Sequence, residues 1–87
     1  MARVYIPAQL AKLTGGLREV DASGASLREV IDSLDTAFPG LRDTLVDGDR
    51  LRAGLAAAVD NVLASGLRQP VRESSEVVFL PALKGGV

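Results

Sequence analysis

The sequence predicts a two-layer α+β domain, one mixed β-sheet with one amphipathic helix packed on a single face. Three observations lead there. Residues 3–7 and 76–81 alternate inward and outward positions and are rich in β-branched and aromatic residues, as strands with one buried face do. Apolar residues recur at helical spacing through Leu27, Val30, Ile31, Leu34 and Phe38, which gives one apolar stripe. With 87 residues, 47% of them apolar, the chain makes one domain and must commit most of its apolar side chains to one core. One stripe on one helix covers one face of one sheet.

Taken in order, Val4 and Ile6 share one face of the first strand, and Arg3 and Tyr5 the other. Pro7 cannot donate a ladder hydrogen bond, so pairing weakens there. A loop through Leu10 and Leu13 leads to Gly15-Gly16, which supplies the positive-φ positions of a hairpin turn, and residues 17–22 alternate again as a second strand. Ser23-Gly24-Ala25 ends that strand. Ser26-Leu27-Arg28-Glu29 reads as a capping box: the Ser26 hydroxyl accepts from the Glu29 amide while the Glu29 carboxylate reaches back to the Ser26 amide. Arg28, Asp32, Asp35 and Thr36 take the wet face of the helix, and Pro39-Gly40 stops it.

Residues 41–46 suggest a further helical turn, followed by an Asp47-Gly48-Asp49 loop. Residues 55–59 are ambiguous by propensity, because alanine favours helix. Gly54 before them and Asp60-Asn61 after them are strand punctuation, so a strand is expected, turning into a short partner at residues 62–64. Residues 67–73 form a loop containing Pro70, and residues 76–81 the last strand. The expected division is a domain over 1–81 and a flexible tail over 82–87.

Composition removes several function classes. Net charge is −1, so the concentrated basic stripe that displaces counterions from nucleic acid is not indicated. The chain has no His and no Cys, hence no imidazole base, no thiol nucleophile, none of the usual soft metal ligands and no disulfide. Neither a signal peptide nor a run of about 20 apolar residues is visible, and a cytoplasmic setting is expected. The pairs Glu73/Glu76 and Asp32/Asp35 sit among polar positions with nothing to raise a pKa, and read as surface charge. Asp47-Gly48-Asp49 starts like a calcium loop but lacks the bidentate Glu at the required spacing, and reads as a turn. Gly15-Gly16 lacks the lysine and hydroxyl residue of a phosphate-binding loop. The chain is not read as an enzyme in its own right.

The feature left over is the C-terminal stretch, Leu83-Lys84-Gly85-Gly86-Val87. Glycine has no Cβ, so such a segment can thread a narrow channel and leaves its carbonyl carbon open to attack. By composition alone it reads as a frayed chain end, and the order of elements before it turns the reading toward a functional tail. If Val77 and Phe79 face the helix, the period of two sends Val78 and Leu80 outward. With Pro81 and Leu83 they read as an apolar patch at the root of the tail, where a partner would grip, in preference to a merely lightly exposed face. Lys84 reads first as a solvated tail lysine and second as a partner for an acidic channel.

These stretches, with residues 4–7, 13–16, 26–29, 38–41, 49–52 and 55–61, resemble the MoaD/ThiS family of ubiquitin-like sulfur carriers, and among them MoaD-like small subunits of molybdopterin synthase. The resemblance spans nearly the whole chain and is most specific over residues 76–86. It implies the ubiquitin-like β-grasp fold. It also implies a chemistry: an E1-like enzyme uses ATP to adenylate the carboxylate of the last glycine, here Gly86 preceded by Gly85. A sulfur donor converts that adenylate to a thiocarboxylate, and a sulfur-accepting enzyme such as a molybdopterin synthase large subunit consumes it. ATP, magnesium and zinc belong to the partners, so no cofactor is assigned to this chain. Working carriers of the family end at the second glycine, and this sequence continues to Val87. Val87 is an extension removed by a metallopeptidase, or a residue left by cloning, or the mark of a member that has lost carrier chemistry. The last case defines the rival reading, a non-catalytic β-grasp interaction module. Molybdopterin, thiamine, cysteine and secondary-metabolite pathways all use such carriers, and the sequence does not choose among them.

Overall fold

Ten elements follow one another in a computed structural model that describes residues 1–82. They are β1 (Ala2–Tyr5), a 3₁₀ helix (Ala8–Thr14), β2 (Glu19–Ala22), α1 (Leu27–Ala37), α2 (Leu41–Leu45), β3 (Val46–Asp47), β4 (Arg50–Leu51), β5 (Leu55–Val59), β6 (Val62–Leu63) and β7 (Glu76–Pro81). The main sheet has five strands in the order β2-β1-β7-β5-β6. Only β1 and β7 run parallel, so the sheet is mixed as expected.

The helix builds the core. Leu27, Val30, Ile31 and Leu34 of α1 are all buried, and Phe38 is partly so. They lie over Val4, Val77, Phe79, Ala57 and Val59 of the sheet. Each fully buried Leu, Ile, Val or Phe contributes about 1.5–3 kcal/mol by leaving water. α2 adds Leu41 and Leu45 to the same cluster. Pro39 does end α1: Phe38 before it is driven to φ −133°, ψ 84°, out of the helical region, and Gly40 turns with φ 98°.

The cap differs from expectation by one residue. Ser26 Oγ accepts from the Glu29 amide at 3.3 Å, but the Glu29 carboxylate accepts from the Ala25 amide, at 3.1 Å, instead of from Ser26. The extended backbone at Ser26 (φ −142°, ψ 164°) presents the Ala25 N–H to that carboxylate. The next free helix amides are met by the 67–73 loop, with Leu27 donating to the Gln69 carbonyl at 2.9 Å and Arg28 to the Leu67 carbonyl at 3.0 Å. Buried Leu67 and Val71 fasten that loop to the core. Gly24, at φ 151°, lets β2 pass close to α1: a Cβ there would meet the Val30 amide nitrogen at 2.7 Å.

Two expectations are corrected. The segment after Pro7 is a 3₁₀ helix, not a plain loop, and Gly15-Gly16 closes that helix instead of making a tight hairpin. Leu10 and Leu13, three apart, share one face of a three-residue turn and pack on the core. Buried Thr14 seals its end, with Oγ 2.7 Å from the Leu17 carbonyl. As a result β2 begins at Glu19, and Leu17 is half exposed. The Asp47-Gly48-Asp49 turn is present, but it joins β3 and β4 into a separate two-stranded sheet. Among the described residues no helix is long and apolar enough to cross a membrane.

Leu34→Ala or Ile31→Ala removes a side chain at most 1% exposed, and is expected to lower unfolding free energy by about 2–5 kcal/mol in urea titrations.

Candidate functional site: the open sheet face at the end of β7

β7 lies in the middle of the sheet, paired with β1 on one side and β5 on the other. Its start is pinned. The turn from β5 to β6 uses Asp60 and Asn61 at φ 51° and 71°, left-handed values that Asn and Asp tolerate in two-residue hairpins. In that conformation the Asp60 carboxylate accepts from the Glu76 amide at 2.9 Å and from the Ser75 hydroxyl at 2.8 Å. Ser75 is buried, and its Oγ also accepts from the Arg72 amide at 2.9 Å. These bonds hold the Asp60 carboxyl below its ordinary pKa, the Glu76 amide contributing most and the Ser75 hydroxyl next. Partial desolvation opposes them, and the Arg72 charge adds a little.

At its far end β7 stays paired through Pro81, opposite Leu55, and the Ala82 amide donates to the Gly54 carbonyl at 2.9 Å. Leu83, Lys84, Gly85, Gly86 and Val87 lie outside the described residues.

Val77 and Phe79 point into the core, and Val78 and Leu80 point away from the helix, as the alternation requires. Val78 is 36% exposed, Leu80 is half-buried and Pro81 exposed. The structure adds residues that strand periodicity did not single out. Register places Tyr5, Val78, Ala58 and Leu63 in one row across β1, β7, β5 and β6, with Leu80 and Ala56 in a second row nearer the tail. Leu63, 66% exposed, is the largest uncovered contributor. The 62–64 segment was read only as a hairpin partner; the signal that could have found Leu63 is the two-residue Asp60-Asn61 turn, which pairs it with Ala58.

Toward β2 the same face becomes polar. Arg3 bridges Glu19 at 3.1 Å and Asp21 at 3.4 Å, and the Tyr5 hydroxyl donates to Glu76 at 3.3 Å. The Asp21 hydrogen bond, then the charges of Asp21 and Glu19, raise the Arg3 pKa. Asp32 pairs with Arg42 at 3.5 Å, and Asp35 accepts from the Gly40 and Arg42 amides, each at 3.1 Å. Those carboxylates serve the helix junction. Among the described residues no group of three His, Cys, Asp or Glu is placed to hold a metal ion.

β7 ends beside the apolar row, and Gly85-Gly86 follow it in the sequence. The ThiS family model matches residues 4–86. The chain belongs to the ThiS family. The sulfur carrier protein CysO of Mycobacterium tuberculosis, strain H37Rv, is 32% identical over 89 aligned positions, covering 95% of this chain and 96% of that protein; CysO of Mycobacterium bovis matches equally. Among solved structures, a chain of the Amycolatopsis orientalis BexX/CysO complex superposes with a TM-score of 0.90 at 30% identity, covering 99% of this chain and 100% of that one. Mycobacterium tuberculosis CysO superposes at 0.88 with 29% identity, covering 95% and 100%. The small archaeal modifier protein 1 of Methanosarcina acetivorans, at 0.77 and 24% identity over 98% of this chain and 95% of that one, shares the fold. The architecture is the β-grasp of sulfur carriers, and this ThiS-family chain has the expected mixed sheet under one main helix.

The Asp60 clip has a measurable consequence. A carboxyl whose folded pKa is lowered adds stability that is full above its unfolded pKa, about 3.9, and is lost as pH falls through the folded value. Asp60→Asn is therefore expected to destabilise the domain near neutral pH and to flatten the fall in Tm below about pH 4. An acid-induced loss of Tm identical in slope for both proteins would contradict this role.

Proposed function

We propose that this chain carries sulfur at Gly86 after removal of Val87, and catalyses no step itself. The observation that carries the reading is the family match, which runs through both Gly85 and Gly86 and leaves Val87 outside. In the proposed cycle a metallopeptidase frees the Gly86 carboxylate. That carboxylate attacks the α-phosphorus of ATP on an E1-like enzyme, and pyrophosphate leaves. Hydrosulfide from a sulfur donor then attacks the acyl carbon; the C–S bond forms, the C–O bond to AMP breaks, AMP and a proton leave, and the product is a thiocarboxylate. A sulfur-accepting enzyme uses it. The curated relatives bear the name CysO, which favours the acceptor that a CysO-type carrier serves over a molybdopterin synthase large subunit.

The proposed division of labour places the chemistry in partners and the address on this domain. Val78, Leu80 and Pro81, joined by Leu63 and Ala58, supply the apolar contact, and Leu83 and Lys84 lead the glycines into the channel. Tail and domain act as separate parts, 82–87 and 1–81. Val87 as encoded favours a second reading, a β-grasp interaction module without carrier chemistry; such a module keeps its partners when Gly85 and Gly86 are deleted.

Mass spectrometry of the chain coexpressed with an E1-like enzyme and a sulfur source tests the proposal. The expected product ends at Gly86 and carries one oxygen replaced by sulfur. Failure to find adenylate or thiocarboxylate on Gly86, with Val87 present or deleted, would sink it. Gly86→Ala in the trimmed chain is expected to slow activation by about a hundredfold, as misplacement of a reacting carbon does, with Tm unchanged.

Leu63→Asp puts a charge in the exposed apolar row. Its expected outcome is loss of partner binding by tenfold or more, about 1.4 kcal/mol, with stability within about 0.5 kcal/mol of the parent. Titration calorimetry and thermal melts read the two quantities separately.

A further inference from the structure

The exit of the chain from β7 is bordered by a groove whose charge the apolar row does not explain. Ala82 is hydrogen-bonded to Gly54, and the segment leading back from Gly54 through Arg52 to Arg50 forms one wall of that exit. Arg50, Leu51, Arg52, Ala53, Gly54 and Leu55, with Asp47, line a groove of about 420 Å³. Arg50 and Arg52 both border this groove; Leu51 between them is half-buried, borders it too and packs on the core. The two cations differ in their bonding. Arg52 is anchored, its Nε donating to the Asp43 carbonyl at 2.6 Å. Arg50 stands opposite Asp47 in the β3–β4 ladder, yet among the described residues no ion pair joins it to any carboxylate. Lys84 follows two residues after Ala82 in sequence. The other corner of the sheet's open face is acidic, with Glu19, Asp21 and Glu76 around Arg3. β7 thus begins beside carboxylates, continues past the apolar row and ends beside the segment that carries Arg50 and Arg52.

We infer that the Arg50/Arg52 groove receives a carboxylate on the rim of the adenylating enzyme's channel, and so sets the orientation in which the domain docks. The inference rests on the carrier reading and deepens it by naming the chemistry of the partner surface. The apolar row supplies contact area but has no intrinsic direction; it would tolerate docking with the tail turned away from the channel. A cation pair at the exit and carboxylates at the opposite corner remove that ambiguity, because an acidic channel rim attracts one end and repels the other. Arg52, held by Asp43, presents a fixed guanidinium face, and Arg50 offers all its donors to the incoming carboxylate. Charge placed so close to the apolar contact steers the encounter as well as its final register.

The association rate constant of the full-length chain with the E1-like enzyme of its own organism, followed by stopped-flow fluorescence across a salt series, tests this. Arg50→Glu is the informative variant, since Arg50 makes no ion pair in the fold. Arg68→Glu is the control: it changes net charge equally and lies in the loop that caps α1, outside the lining of the groove. The expected result is a rate constant for the unaltered chain that falls with salt, a loss of about fivefold or more for Arg50→Glu at low salt, a shallower salt dependence for that variant, and little change for Arg68→Glu. Melting temperatures report whether either variant disturbs the fold; if Arg50→Glu does, Arg50→Gln repeats the measurement. Equal effects of Arg50→Glu and Arg68→Glu, or a salt-independent rate for the unaltered chain, would overturn this inference and leave the carrier reading standing. No association of the unaltered chain, with Val87 present or removed, would overturn both.

Discussion

The insertion of β7 between β1 and β5 is the constraint on which the rest of the molecule depends. Its alternation is unforgiving, because a strand's side-chain period of two couples what is buried to what is exposed. Burying Val77 and Phe79 beneath α1 obliges Val78 and Leu80 to face the other way. The core and the proposed docking surface are consequently two sides of one pairing. A one-residue slip would put Val78 under the helix and Val77 outside, and both would fail together. Asp60 guards against such a slip: its carboxylate grips the Ser75 hydroxyl and the Glu76 amide at the point where β7 begins. The turn that supplies it also sets β6 beside β5, so the same few residues place Leu63 in the exposed row.

The helix layer is fastened by the chain around it as much as by its stripe. A free helix end leaves amides without partners, and the loop through Gln69 and Leu67 supplies carbonyls for Leu27 and Arg28. That is why residues 67–71, with no regular structure of their own beyond a single bridge between Ser26 and Pro70, bury Leu67 and Val71. Local satisfaction of this kind extends throughout: no buried side-chain nitrogen or oxygen among the described residues lacks a hydrogen-bond partner.

The curated relatives of this ThiS-family chain are named sulfur carriers. In the proposed scheme the domain contributes an acyl carbon and an address. The address has an apolar component with little directional preference and a charged component that is directional. Separating the two lets a partner of generic apolar character still select one orientation.

The sequence by itself determined the helix, its Ser26 cap and Pro39 stop, the sheet's mixed two-layer character, the inward and outward residues of the last strand and the family. Each follows from a local rule: a 3.6-residue stripe, a side chain reaching its own backbone, a ring without an amide hydrogen, a period of two, or a contiguous match. The 3₁₀ helix through Leu10 and Leu13 escaped because a spacing of three is also a fragment of many loops, and only packing on the core selects it. The Glu29 carboxylate went to Ala25 because the strap from 67–71 shapes the backbone at the cap, a contact distant in sequence. The alignment of Tyr5, Val78, Ala58 and Leu63, and the groove holding Arg50 and Arg52 at the exit, were decided by tertiary structure alone. Register and strand order bring together residues from opposite ends of the chain, and no local rule encodes that distance.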